Sequence, residues 1–412
     1  MVKNILHTLI TRGMVAMINF LILLLISRYL GSSNLGIISQ MILSISIIQT
    51  VNEIYTGSAL VYFVPQGHFT RIYWQGFVFT LVCIVLINPV FMVFNLVQPG
   101  MSLHVALLSF LVSLHYFHTV LLLAREKMAW YNRVIFLQPF LLLLSLGTAV
   151  FLFKQNQLET YLLCFYFSYI LSLLVSGGMV LFLPAQAATP HTVSFAQVFR
   201  NGLLNQLGNL AHTLSNRLNY YLLGTTALVG VYAGSSSLIE SLWIISGSVS
   251  PVILTHIANN AVSERNSRIS FLLAKLCFLL SLACVFILLL LPNALFVFLL
   301  GTDFGEAKSI MLYLSPGVLL LSFSSILSHY FSGLGNQKLL FVANVSGLLA
   351  AVCSAYPLIH SFGVYGACYS AGLSYLVQAL IISIAFMKKN AMGLRDLLSL
   401  RNDVVFLKGQ KN

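Results

Sequence analysis

The chain has 412 residues, 59% of them hydrophobic and only 7% charged, with a formal net charge of +12. Soluble domains carry about 25% charged residues, so a water-soluble enzyme or binding module is excluded. The excess of positive charge is better explained by membrane topology than by a nucleic-acid partner.

A helix needs about 20 apolar residues to cross a bilayer. Twelve such stretches occur in chain order, at 5–27, 36–64, 72–94, 102–123, 131–153, 160–183, 198–223, 229–258, 269–291, 309–333, 339–359 and 364–387. None shows sustained two-residue alternation, so helices are expected rather than a barrel. The first stretch does not read as a cleaved signal peptide, because Arg12 interrupts it and no small-residue cleavage site follows. The expected fold is an all-α integral membrane protein with twelve transmembrane helices in two pseudo-symmetric six-helix bundles, 1–190 and 191–387. A basic tail, 388–412, follows; its Leu394, Leu397, Leu398 and Leu400 among Arg395, Asp396 and Arg401 suit either an amphipathic surface helix or a disordered segment. No soluble domain or nucleotide-binding loop interrupts the pattern, so an ATP-driven pump would need another subunit.

The halves echo each other. Leu30-Gly31-Ser32-Ser33-Asn34-Leu35-Gly36 returns as Leu223-Gly224-Thr225-Thr226-Ala227-Leu228-Val229-Gly230, and His115-Tyr116-Phe117 as His329-Tyr330-Phe331. Six spans per half give both halves the same orientation, as in parallel repeats, whose substrate sites commonly lie where repeats meet. With twelve spans, sixteen Lys and Arg residues fall on the side of the termini, against Arg28, Lys154 and Lys308 on the other. The positive-inside rule then puts both termini in the cytoplasm.

Few charges lie well inside spans: Arg12 and Arg217 on the first helix of each half, and Glu53 and Glu240 on the second. Each ionised group at mid-membrane costs about 2.5–3.5 kcal/mol on insertion scales, so a partner or a wet cavity is required. Two readings stand at this point. Each Arg pairs with a Glu to lock helices together, or the arginines meet an anionic substrate in a cavity while a glutamate exchanges H+ or Na+. The two glutamates sit about six residues out of register once the glycine repeats are aligned.

The seventh stretch carries Asn201, Asn205, Asn209, His212, Asn216 and Asn219 at spacings of three and four, a polar face on one helix. Such a face is not tolerated against lipid; it is either a helix-helix hydrogen-bond seam or the wall of a wet passage. Stretches two and eight are rich in Ser and Thr, which permit close packing and also hydration. His115 and His118 stand three apart, but no third ligand accompanies them, so no metal site is expected. The six cysteines lie inside spans without a Cys-x-x-Cys pair and read as packing residues. Pro89, Pro139, Pro251, Pro316 and Pro357 are candidate kinks.

Together these features resemble the Wzx-type polysaccharide flippases of the multidrug/oligosaccharidyl-lipid/polysaccharide exporter superfamily. The resemblance rests on Ser27-Arg28-Tyr29-Leu30-Gly31 with Leu35-Gly36, and on Asn219-Tyr220-Tyr221-Leu222-Leu223-Gly224 leading to Gly230-Val231-Tyr232-Ala233. Gly333-Leu334-Gly335-Asn336-Gln337-Lys338 and Phe362-Gly363-Val364-Tyr365-Gly366-Ala367 add to it. It implies a MATE-like V of two bundles in the bacterial inner membrane. It further implies alternating-access transfer of undecaprenyl-diphosphate-linked oligosaccharide, such as an O-antigen unit for lipopolysaccharide, to the outer leaflet. Arg12 and Arg217, with Arg28 at the outer mouth, become the expected diphosphate contacts, joined by Asn205, Asn209, His212 and Asn216. Glu53 and Glu240 become the expected ion-coupling groups, with no cofactor beyond H+ or Na+. The partners implied are the lipid-linked substrate, membrane lipids and other polysaccharide-assembly proteins, with the chain itself a monomer. A drug exporter of the same fold is the nearest rival. A membrane polymerase or acyltransferase is disfavoured by the short outer loops, which carry almost no Arg or His.

Overall fold

The computed structural model describes residues 2–183, 193–259 and 264–393, and these contain helices and no strand. In chain order the helices are α1 (Val2–Leu25), α2 (Gly31–Thr56), α3 (Ala59–Phe63), α4 (Phe69–Val93), α5 (Ser102–Ala124), α6 (Met128–Phe151), α7 (Leu158–Leu181) and α8 (Phe195–Arg217). They continue as α9 (Asn219–Leu222), α10 (Thr226–Glu240), α11 (Trp243–Asn259), α12 (Glu264–Leu290), α13 (Asn293–Leu300), α14 (Ala307–Gly333), α15 (Gln337–Phe362) and α16 (Val364–Lys389). The tail segment 394–412 lies outside the described residues.

Among the described residues, nine helical runs are long and apolar enough to cross a membrane, or ten if the bent pair α10–α11 counts as one. Two features reconcile this with twelve stretches. The run Ile10–Phe63 tests as one piece of 54 residues, about 81 Å of helix at 1.5 Å per residue, far more than one ~30 Å hydrocarbon layer. It is interrupted by a π-helical turn at Ile26–Leu30 and by Gly31, whose φ of 85° and ψ of 169° leave helical geometry. Glycine reaches that conformation without the penalty a Cβ imposes. The second feature is α8, which at 23 residues is long enough to span but is depleted of apolar side chains by its row of Asn and His.

The structure divides into two compact units: Met1–Leu210 with Thr225–Gly230 and Leu299–Asp303, and Ala211–Gly224 with Val231–Phe298 and Phe304–Asn412. In the first unit α5 is central, packing against α2, α4, α6 and α7, while α1 lies on α6. Its core gathers Tyr55, Phe117, Leu121 and Val134. In the second unit α14 takes the central role, in contact with α11, α12, α15 and α16. Phe271, Tyr330, Phe331 and Phe386 form that core. The echoed His-Tyr-Phe triplet therefore sits on the central helix of each unit, with Phe117 and Phe331 both buried. Outward-facing surfaces such as Trp74, Val78 and Val85 on α4, or Leu163, Phe167 and Leu174 on α7, are apolar and exposed, as suits hydrocarbon. Pro89, Pro139, Pro251, Pro316 and Pro357 all lie inside helices that run through them.

The echoed glycines of the two halves meet within the first unit. A Cβ on Gly36 would stand 1.8 Å from the carbonyl oxygen of Thr226, and one on Gly230 would stand 1.8 Å from that of Ser32. Ser33 Oγ and Thr226 Oγ1 share a hydrogen bond of 2.9 Å alongside. The contact is reciprocal, as a two-fold-related pair requires, and it is close because neither helix carries a side chain there.

That contact sets an expected outcome. Gly36→Ala and Gly230→Ala each overpack the seam and should cost about 1–3 kcal/mol of stability. Gly13→Ala, where nothing lies within 4 Å, should not. Unfolding of the purified protein in detergent micelles reads the difference.

Candidate functional site: a bidentate ion pair at two helix breaks

The expected polar face of α8 is present, and it changes character along the helix. On its first part Asn201 Nδ2 donates to its own helix at Gln197 O (3.3 Å), and Asn209 Nδ2 donates to Gln206 Oε1 (2.9 Å). Asn205 is half-buried and Asn209 exposed. Further on, within the second unit, His212 Nδ1 lies 3.1 Å from Gln378 Oε1 on α16, and Asn216 Nδ2 lies 3.1 Å from His212 Nε2. An amide oxygen opposite Nδ1 and an amide NH2 opposite Nε2 assign the neutral tautomer with its proton on Nδ1. Gln378 Nε2 completes the set by donating to Ser215 Oγ and Ser374 Oγ at 3.2 and 3.1 Å. Gly347 makes room for it, since a Cβ there would fall 2.4 Å from Gln378 Cγ.

Arg217 closes α8, and the helix breaks at Leu218 before the short α9. Glu240 closes α10, and α11 departs at an angle of 48°. These two terminal residues form a bidentate ion pair. Arg217 Nη1 donates to Glu240 Oε1 at 3.1 Å, and Nη2 donates to Glu240 Oε2. The fork-to-carboxylate match explains why an arginine rather than a lysine serves here. Tyr375 Oη donates to Glu240 Oε1 at 3.1 Å, Ser236 Oγ lies 3.4 Å from Nη1, and the guanidinium stands 5.3 Å over the Tyr220 ring. Trp243 packs edge-on to Tyr375 and anchors its own indole N–H on Val318 O at 3.1 Å. A carboxylate at a helix C-terminus opposes the helix dipole, so Arg217 offsets both that repulsion and the loss of hydration.

The pair is unequally covered: the Arg217 side chain is 26% exposed and that of Glu240 only 6%. Beside it, Asn219 donates to Ala367 O at 2.9 Å, and its Oδ1 is buried with no partner among the described residues.

Of the two readings open for the intramembrane charges, the pairing one holds for Arg217 and Glu240. It does not extend to the first unit. Glu53 on α2 accepts from Gln49 Nε2 at 3.0 Å and from the Tyr116 hydroxyl, both neutral donors. Arg12 is exposed on α1 and enters no ion pair among the described residues. Arg28 is exposed in the π-helical turn, and Gly301 approaches that turn at Ser27 and Arg28. His115 and His118 each bond to serine on α7, at Ser172 Oγ (2.9 Å) and Ser176 Oγ (3.1 Å); His118 also meets Tyr73 Oη at 3.2 Å. No group of three or more metal-ligating side chains is gathered among the described residues.

Sequence reasoning missed Tyr375 and Gln378, and read Ser236 only as one of the small hydroxyl residues of the eighth stretch. Ser370, Ser374 and Gln378 recur every four residues on α16, a polar row of the same kind as that on α8. Tyr375 gave no comparable signal in an aromatic-rich chain.

Removing one partner of the pair should cost about 3–5 kcal/mol, because the other charge is left buried and unpaired. Removing both in Arg217→Met/Glu240→Leu should cost much less. A double-mutant cycle on unfolding in detergent measures this coupling; additive losses would show that the pair does not hold the fold.

No family model and no curated relative matches the chain. Solved structures do match. The lipid II flippase MurJ, in an inward closed conformation, is similar over 99% of this chain and 92% of its own, with a TM-score of 0.72 and 12% identity. An inward-facing multidrug resistance transporter of the MATE family and MOP superfamily is similar over 93% of this chain and 98% of its own, with a TM-score of 0.72 and 15% identity. The Vibrio cholerae MATE transporter VcmN covers 94% of this chain at a TM-score of 0.59 and 13% identity. At such identities the likeness is one of architecture: the chain has the all-helical membrane fold shared by MurJ and the MATE transporters.

Proposed function

We propose that the protein is a flippase of the MOP superfamily that moves undecaprenyl-diphosphate-linked oligosaccharide from the cytoplasmic to the outer leaflet of the bacterial inner membrane. The observation that supports this most is Arg217: a guanidinium at the C-terminal end of α8, its side chain 26% exposed, on a helix that carries Asn205, Asn209, His212 and Asn216. A sugar diphosphate is large, anionic and polar. It needs a hydrated passage, amide donors and acceptors, and a cation of fork geometry. Its prenyl chain can stay in lipid throughout.

In this reading Arg12 and Arg28 are further cationic contacts along the passage. Alternating access supplies the movement, driven by an ion gradient. Glu53 and Glu240 divide the coupling role unequally. Among the described residues Glu53 accepts from neutral donors and suits a group that is charged and discharged with a transported ion, whereas Glu240 is paired with Arg217. The likeness to MurJ, a lipid II flippase, agrees with a lipid-linked substrate. The likeness to multidrug transporters keeps a drug exporter as the rival, for which the intramembrane arginines are ill suited. Both termini in the cytoplasm, an O-antigen-type substrate and a monomeric working unit complete the proposal.

Deletion should strand undecaprenyl-linked oligosaccharide on the cytoplasmic leaflet and remove surface polysaccharide, with drug susceptibility unchanged. Unaltered surface polysaccharide with gained drug sensitivity would favour the exporter. Arg12→Ala, and Arg217→Ala/Glu240→Gln, which leaves no charge unpaired, should each lose at least tenfold in complementation at equal protein abundance. Glu53→Gln should flatten the dependence of flipping on the ion gradient, measured in reconstituted vesicles with imposed gradients.

A further inference from the structure

Among the described residues, the guanidinium fork of the second unit's site is already occupied. Both outer nitrogens of Arg217 are engaged by the two oxygens of Glu240. An anion can add a monodentate contact at the exposed edge, but a bidentate grip requires the carboxylate to leave. Glu240 is 6% exposed, and an ionised carboxylate so buried is strongly unfavourable without its counter-charge. Adding a diphosphate beside an intact pair would also leave the site with net negative charge in a poorly solvated region.

We infer that Arg217 and Glu240 form an exchangeable pair, in which binding of a diphosphate anion by Arg217 and uptake of a proton by Glu240 are one linked event. The step balances. A proton from water bonds to a Glu240 carboxylate oxygen, the two guanidinium contacts to that carboxylate open, and phosphate oxygens accept the released N–H donors. The neutral acid is not orphaned, because the Tyr375 hydroxyl at 3.1 Å remains hydrogen-bonded to it. The exposure difference gives the order of approach: the anion meets Arg217, and Glu240 stays behind it.

The other titratable groups facing this site do not offer the same exchange. They are Tyr220 on α9, Tyr232 on α10, Tyr375 and Cys368 on α16, and His212 on α8. The tyrosines and the cysteine are neutral already and have no proton to gain at physiological pH. His212 has both ring nitrogens satisfied by Gln378 and Asn216. Linkage is reciprocal, so protonation should raise anion affinity by the same factor as anion binding favours protonation. The linkage sets when Arg217 can take the anion and does not itself drive export, since protons are plentiful outside; the ion that drives outward movement acts elsewhere, as at Glu53. This rests on the flippase reading for its ligand, and it extends that reading by making Arg217 and Glu240 a single switch.

The test uses the full-length protein in nanodiscs with undecaprenyl diphosphate as probe. Binding and proton uptake are followed together in weakly buffered solution with a pH-sensitive dye. Wild type should take up close to one proton per bound anion, and affinity should fall up to tenfold for each pH unit of increase. Glu240→Gln should bind about tenfold more tightly and release that dependence; the probe's own titration is common to both proteins and cancels in the comparison. Arg217→Ala/Glu240→Gln, which removes both charges, should bind poorly. Binding by wild type with no proton uptake overturns the exchange even if no variant folds, as does uptake that persists in Glu240→Gln; in either case the flippase reading survives. Failure of wild type to bind the probe, with tetraphenylphosphonium bound instead, overturns that reading and the exchange with it.

Discussion

Low-dielectric surroundings make every unpaired charge expensive, and the Arg217–Glu240 pair is how this chain meets that constraint at the ends of α8 and α10. Each residue terminates its helix, so the pair stands where main-chain hydrogen bonding is already interrupted and polar groups need partners. The surrounding residues follow from it. Tyr375 and Ser236 occupy hydrogen-bonding positions around the two charged groups, Tyr220 lies under the cation, and Trp243 holds Tyr375 in place. His212, Asn216 and Gln378 form a neutral network on the next turn. A fully satisfied neutral network can stay fixed while the charged pair beside it exchanges partners, since no charge is created or lost within it.

The first unit solves the same problem differently. Among the described residues Glu53 has amide and phenol donors rather than a cation, and Arg12 stands exposed on its helix without a carboxylate. The sequence repeat thus specifies helices, central packing and the glycine seam, but not matched chemistry. Phe117 and Phe331 keep equivalent structural places, and Gly36 and Gly230 meet face to face. Glu53 and Glu240 share neither register nor partners. An internal repeat constrains what must pack, while the polar groups are free to diverge.

Much of the architecture was legible because hydrocarbon imposes a long, simple signal: apolar runs of helix length with polar punctuation. The polar face of α8 was legible for the converse reason, since Asn and His at spacings of three and four have no place against lipid. The helix breaks were not legible. Proline was the obvious marker, yet the helices pass through Pro89, Pro139, Pro316 and Pro357; at Pro316 the freed carbonyl of Leu312 accepts from Ser315 Oγ at 2.8 Å. The break after Glu240 falls at Ser241–Leu242, where neither proline nor glycine marks it; tertiary pairing of Glu240 with Arg217 and Tyr375 decides the place. Which Arg would find which Glu was likewise undecided by spacing. Arg217 and Glu240 lie 23 positions apart on different helices, and only the fold brings them into contact.

The central claim is that the Arg217 guanidinium is reached from water and that its positive charge is what the site requires. Chemical replacement of that charge tests it most directly. In a background with Cys83, Cys164, Cys277, Cys284, Cys353 and Cys368 replaced, Arg217→Cys is treated with an aminoethyl thiosulfonate or with the membrane-impermeant trimethylammonium reagent, with Leu174→Cys on the exposed apolar side of α7 as reference. The account predicts fast labelling at position 217, slow labelling at 174, and partial recovery of flipping by the aminoethyl group that restores a cation. No labelling at 217, or labelling without any recovery, would contradict it.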